Sequence, residues 1–340
     1  MNEATVRPRA SKSPALLNRL RLNADGSRWR WATVAAILVV VIVAPLFMNG
    51  YQVSILALAV CYMVATIGFN MSLGWAGLLI FTGSAFFGFG AFVGGRMAVL
   101  GLPTELVIVI AGLAGGVLGL AYGALTVKLN HYYFAITGIA LMFLLDFFYR
   151  TFPAITGGYG GFSIPMPKLL VLGNTPLASG SSYYYFGVVL VVIAFVAARR
   201  IERSPLGRSW RAVRSNPGVA SGLGVDVWRS KLYAFTITSV YLSVAGSWYG
   251  YLSLRFLPET YLFNELIFMF LILIVGGLGS TSGMVLGSLL LVLLREYLRG
   301  FPGMSEIIYG VVLLLAVLFF SKGIYGAITA RIRALREQVL

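Results

Sequence analysis

Apolar residues run through this chain in long blocks, at about residues 31–49, 52–70, 76–100, 104–127, 132–150, 183–198, 232–254, 262–276, 283–299 and 304–320, separated by short polar or glycine-rich turns. A helix needs about 20 residues to cross a hydrocarbon core, and the blocks lack the alternation over about ten residues that marks a barrel strand. The pattern predicts an all-α, polytopic membrane helix bundle. The block at 262–276 is short and glycine-bounded. It and its successor read either as two crossings or as a re-entrant pair, which gives 8–10 transmembrane helices and leaves the parity unchanged. The first block follows a basic stretch too long for the charged region of a signal peptide, and it reads as a retained span.

Composition agrees: 59% of the 340 residues are hydrophobic and 11% charged, against about 45–50% and about 25% in a soluble domain. The net charge of +15 raises the question of nucleic acid, and the position of the basic residues answers it. Residues 1–30 hold seven, residues 199–231 hold eight, and the tail holds Lys322, Arg331, Arg333 and Arg336. All flank apolar blocks, so the excess is accounted for by the positive-inside rule and by attraction to anionic membrane lipid, with no nucleic-acid partner. Even parity then puts both termini and residues 199–231 on the cytoplasmic side of a bacterial inner membrane. The predicted organisation is a basic tail at 1–30, a membrane domain at 31–326 containing the 199–231 loop, and a basic tail at 327–340.

Little points to catalysis. Cys61 is the single cysteine and lies within an apolar block, and the single histidine, His131, opens another beside Tyr132 and Tyr133, an interfacial setting. No catalytic residue, metal site or cofactor is expected in the chain. Glycines at spacing four, among them Gly90 and Gly94, Gly115, Gly119 and Gly123, and Gly279, Gly283 and Gly287, predict close helix packing. Charge inside the blocks is sparse: Asp146 precedes Arg150 by four residues, a helical ion-pair spacing, while Glu265 and Glu296 sit near block ends. A proton-coupled carrier would bury carboxylates centrally.

The segment 204–217 reads as a short helix, with Ser204 as N-cap, Pro205 at the first helical position and Asn216-Pro217 as its stop. Leu206, Trp210 and Val213 share one face, and Arg208, Arg211 and Arg214 fall on another, so the helix would dock apolar side down and offer guanidiniums outward. A second short stretch ends at Gly222-Leu223-Gly224. From these residues alone, a partner-docking segment and a solvated loop lying on anionic lipid are equal readings.

Residues 204–235, with Ala245-Gly246, Pro258, the run Gly276-Gly277-Leu278-Gly279-Ser280, Gly283 and Gly287, resemble the LivM-type permeases of branched-chain amino-acid ABC importers. Asn70, Gly74-Trp75-Ala76-Gly77, Ala85-Phe86-Phe87-Gly88 and Thr156-Gly157-Gly158 extend the resemblance, which covers about residues 50–326. It implies a permease subunit for branched-chain or related small amino acids, amides or urea. It also implies cytoplasmic ATPases that hold ATP and magnesium, a second homologous permease forming a heterodimer, and a periplasmic solute-binding protein. The coupling segment to the ATPases would be Ser204, Pro205, Leu206, Gly207, Arg208, Trp210, Arg211, Ala212, Arg214, Asn216, Gly222 and Gly224. Asn70, Thr82, Gly83, Ser84, Phe87 and Thr137 would bound the substrate path, and Gly276, Gly277, Gly279, Gly283 and Gly287 would serve packing. Relatives carry serine, glycine and histidine or glutamine where this chain has Ile80, Thr82 and Gly83, which leaves the solute open. The chain has no G-x-x-x-x-G-K-[ST] loop of its own. The rivals are a self-sufficient channel or ion-coupled secondary transporter and, further off, a membrane enzyme or scaffold.

Overall fold

The computed structural model describes Pro45, residues 47–164, Lys168, Leu169, Thr175, Pro176, residues 180–300, Ile308, Gly310, Val311 and Leu314. The chain forms two compact units, Met1–Asn49 and Gly50–Leu340, and the architecture is that of the second. The expected crossings at 31–49 and 304–320 and both basic tails lie outside the described residues, apart from the few isolated positions just named.

The helices are α1 (Gly50–Asn70), α2 (Gly83–Val99), α3 (Thr104–Thr126), α4 (His131–Thr151), α5 (Pro153–Thr156), α6 (Gly180–Arg203), α7 (Pro205–Ser215), α8 (Pro217–Gly222), α9 (Val227–Ser253), α10 (Phe263–Gly276) and α11 (Thr281–Leu298). Among the described residues six helical segments are long and apolar enough to cross a membrane: 50–75, 104–126, 132–151, 181–203, 258–276 and 281–298. The protein is therefore an all-α, polytopic membrane bundle. Its only described strands are two tiny antiparallel pairs, β1 (Phe162–Ser163) with β4 (Arg255–Phe256) and β2 (Lys168–Leu169) with β3 (Thr175–Pro176).

The block expected at 76–100 is corrected at its start. After α1 the chain tightens into a π-helical turn, Met71–Trp75, in which the Ala76 amide reaches back to the Met71 carbonyl at 3.1 Å and the Leu78 amide to Ser72 at 2.9 Å. Gly77 then takes a φ of +70°, and helix resumes only at Gly83. Hydropathy did not reveal the break because Ala76, Leu78 and Ile80, within the non-helical stretch, are apolar and buried.

The 27-residue α9 runs through the interior against α1, α2 and α3. Its Ser239, Ser243 and Ser247 repeat every four residues and so share one face. They meet glycines: Gly90 and Gly94 of α2 abut Ser243 and Ser247, and Gly115 and Gly119 of α3 abut Ser243 and Ser239. Ser243 Oγ donates to the Phe86 carbonyl at 3.1 Å. In lipid, where burial from water does not drive helix association, such small-residue seams supply packing and interhelical hydrogen bonds instead. Gly246 is the tightest point, since a Cβ there would collide with the Phe87 carbonyl.

Helices α10 and α11 cross in the same manner. A Cβ on Gly276 would lie 2.5 Å from the Gly283 carbonyl oxygen, and one on Gly287 2.9 Å from Gly276 Cα. Gly277 and Gly279, by contrast, lie in the turn between them, with φ of +100° and +89°. Asp146 and Arg150 form an ion pair on α4 at 2.9 Å.

Candidate functional site

Two places in the bundle concentrate polar chemistry: the docking of α7 at one end, and a buried charge cluster between α1, α10 and α11. Helix α7 begins where the sequence marks it, with Ser204 Oγ accepting from the Gly207 amide at 3.4 Å and Pro205 in the first turn. Its buried residues are Gly207, Trp210 and Val213, and Leu206 is 39% exposed. Trp210 and Val213 are buried as the expected face requires, and Leu206 departs from it. A Cβ at Gly207 would collide with the Ile201 carbonyl of α6. The helix lies against that carbonyl through its bare glycine, and the contact fixes its rotation with Leu206 outside.

Arg208, Arg211 and Arg214 are exposed as expected, but each is also tied to a main-chain carbonyl. Arg214 turns inward and donates from Nη1 to the Gly74 carbonyl, with its stem against Gly77. Arg211 Nη2 donates to the Glu202 carbonyl at 3.0 Å, and Arg208 Nη1 to Arg203 at 3.1 Å. Their guanidiniums hold the loop to itself, because free main-chain acceptors at the end of α6 and at the π-helical turn lie within reach. Ala212 is half-buried. Asn216 ends α7 and caps α8, its Oδ1 accepting from Gly218 and Val219 at 3.0 and 3.1 Å. Gly222 ends α8, and Gly224, at a φ of +84°, turns the chain toward α9.

Trp210 is fully buried and stacks on Trp75, ring centroids 6.2 Å apart. Trp75 Nε1 donates to the Gly279 carbonyl at 3.0 Å, and the Gly279 amide donates to Asn70 Oδ1 at 2.8 Å. The loop helix α7, the π-helical turn after α1 and the turn between α10 and α11 thus meet in one junction.

Of the expected path residues, Asn70 belongs to this junction. Thr82, Gly83, Ser84 and Phe87 follow on α2 and its N-cap, all buried. A Cβ at Gly138 of α4 would lie 3.1 Å from Thr82 Cγ2, and Ser84 Oγ donates to Met142 Sδ at 3.1 Å, so α2 and α4 share this region. Thr137, next to Gly138, is half-buried and donates to the Phe134 carbonyl at 3.0 Å. Gly83 lies against Phe69, and Phe87 joins an aromatic group with Tyr62, Tyr249 and Tyr261. The structure therefore brings Thr82, Gly83 and Ser84 together beside α4, while Asn70 is bonded into the junction and no hydrogen bond among the described residues joins Thr137 to them.

The buried charge cluster was not anticipated. Glu265 is 2% exposed. Tyr62 Oη donates to its Oε2 at 2.6 Å, Arg295 Nη2 donates to its Oε1 at 3.1 Å, and Arg295 Nη1 donates to Tyr62 Oη at 2.8 Å. Arg295 also stands over the Phe268 ring at 4.6 Å. The sequence signal was an acid and a base, each inside the end of an apolar block, with nothing in their spacing to pair them.

The chain matches the family model described as "Branched-chain amino acid transport system / permease component" over residues 51–320. It belongs to this family. The LivM permease protein of the high-affinity branched-chain amino acid transport system in Escherichia coli is 29% identical over 320 residues, 86% of this chain and 74% of that protein. The Salmonella typhimurium counterpart is 29% identical over 318 residues, 85% and 73% of the two chains. A probable LivM permease protein of Methanocaldococcus jannaschii is 24% identical over 234 residues, 64% of this chain and 67% of that one. No solved structure matches the chain. The matched region runs from α1 through α11, so this permease carries both the junction and the charge cluster inside the family's domain.

Proposed function

We propose that this permease is the membrane-spanning subunit of an importer for branched-chain amino acids, driven by cytoplasmic ATPases that dock on α7 and α8 and hold the ATP and magnesium. The supporting observation is the two-sided character of that loop. Its inner face is committed to Trp75 and Gly74, while Leu206, Val219 and Leu223 remain exposed, the last by 79%. An outer apolar set on a helix that is anchored underneath suits a protein partner whose movement is to be passed inward. The basic excess at 199–231 supports a cytoplasmic position for this face, in an inner membrane with both termini on the same side.

A second permease completes the pathway in this reading, as a heterodimer, and a periplasmic binding protein delivers the solute. The relatives' names support the solute class. The path would run past Thr82, Gly83, Ser84, Phe87 and Thr137, and Asn70 would transmit the motion of α7 to α1 rather than touch solute. Access alternates when one group of helices moves against another.

Gentle detergent purification of the tagged permease, with mass spectrometry of the retained proteins, tests the reading. Recovery of an ATPase carrying a phosphate-binding loop, and its loss in Leu206→Asp and Leu223→Asp variants that still insert, is the expected result. A chain that comes out alone and transports without ATP in liposomes would establish a self-sufficient carrier instead.

A further inference from the structure

An intramembrane ionisable residue carries a desolvation cost that packing alone does not require, and a buried ion pair adds little net stability over apolar residues of the same size. Glu265 and Arg295 lie in α10 and α11, both among the helices long and apolar enough to cross a membrane. Neither takes part in the α7 junction. Glu265 is sealed, with a side chain 3% exposed, whereas Arg295 keeps 35% of its side chain open, so the pair can be approached from the arginine side.

The surroundings are aromatic. Phe268 lies beside Tyr62 with ring centroids 5.0 Å apart, Phe87 follows at 6.2 Å from Tyr62, Tyr249 at 5.3 Å from Phe87 and Tyr261 at 6.1 Å from Tyr249. The Tyr261 hydroxyl is buried and has no hydrogen-bond partner among the described residues. An orphaned hydroxyl in an apolar interior is costly unless some state of the protein satisfies it.

We propose that Glu265 and Arg295 form a binding site for the amino-acid zwitterion in transit, Glu265 accepting the α-ammonium and Arg295 the α-carboxylate. This rests on the importer reading above. A zwitterion entering a dry core loses the hydration of two opposite charges, and the two side chains present the complementary charges side by side, Arg295 Nη2 3.1 Å from Glu265 Oε1. In the empty state they neutralise each other through the bond seen here. Binding exchanges one charge-assisted bond for two of the same kind, which offsets the hydration the zwitterion leaves behind while release stays easy, as a transport site requires. Phe268, Phe87 and Tyr249 supply the apolar wall for a branched side chain.

The test is ATP-dependent uptake of radiolabelled leucine by the complete complex in proteoliposomes, with the binding protein outside. The Glu265→Gln/Arg295→Met double variant removes both charges and keeps an acceptor for the Tyr62 hydroxyl, so a structural role alone predicts near-normal uptake. Recognition predicts an assembled complex with leucine uptake reduced at least tenfold. Arg295→Lys keeps the pairing charge and loses the two-pronged donor, and a KM raised about tenfold with little change in kcat is expected. Uptake by the double variant within twofold of wild type, an unchanged KM for Arg295→Lys, or failure of both variants to assemble overturns the site and leaves the importer standing. If the wild-type complex shows no ATP-dependent uptake of any amino acid, the importer reading falls and takes the site with it.

Discussion

Gly279 gives its backbone N–H to Asn70 Oδ1 at 2.8 Å, binding two turns 209 residues apart in sequence into one piece. The same glycine accepts from Trp75, whose ring carries Trp210 of α7. A displacement of α7 therefore reaches α1 and the α10–α11 turn through three side chains. Asn70→Ala leaves the Gly279 amide buried and unpaired, at a cost of about 1–3 kcal/mol. A lower apparent melting temperature in detergent is expected, together with ATP hydrolysis that no longer responds to solute.

Trp210→Ala removes a fully buried indole and opens a cavity beneath α7, a change that costs about 3–5 kcal/mol in a packed core. The anchor, and not the bundle, is lost. Limited trypsin digestion of inside-out vesicles should then cut at Arg208 or Arg211 several times faster than in wild type, while the remaining helices stay protected.

Two glycine substitutions should separate strain from collision. Gly224 has a φ of +84° with open space around its missing Cβ, so Gly224→Ala costs about 1 kcal/mol of backbone strain and leaves expression nearly normal. At Gly246 a methyl group meets the Phe87 carbonyl. Gly246→Ala should fail to give folded protein, as read by the loss of a monodisperse peak in size-exclusion chromatography.

Neutralising Asp146 should matter little. Its bond to Arg150 is an i,i+4 pair in the last turns of α4, and Arg150 keeps Glu259 at 4.0 Å when Asp146 is neutralised. Asp146→Asn should import at near the wild-type rate, and a loss of tenfold or more would mark the pair as part of the solute path.

Much of this was legible beforehand. The helical bundle followed from the apolar blocks, and glycines at spacing four on α2 and α3 announced the close approach to α9, because spacing four returns to the same helix face. The serines that meet them went unnoticed, since Ser239, Ser243 and Ser247 read as polarity within a span. Leu206 was counted on the buried face of α7 because a helical wheel gives relative angles only. Its absolute rotation comes from the contact between Gly207 and the Ile201 carbonyl, on another helix. Glu265 and Arg295 are 30 positions apart on separate elements, and only the crossing of α10 with α11 and their packing on α1 bring them to Tyr62.

The serine and glycine seam has a mechanical consequence. Where backbones touch, there is no layer of side chains to deform, so neighbouring helices resist sliding past one another. α2, α3 and α9 should therefore behave as a single strut during the transport cycle. Motion is then left to the places where the chain departs from α-helix: residues 71–82 and the glycine turn at 277–279, which are the two points on which α7 bears.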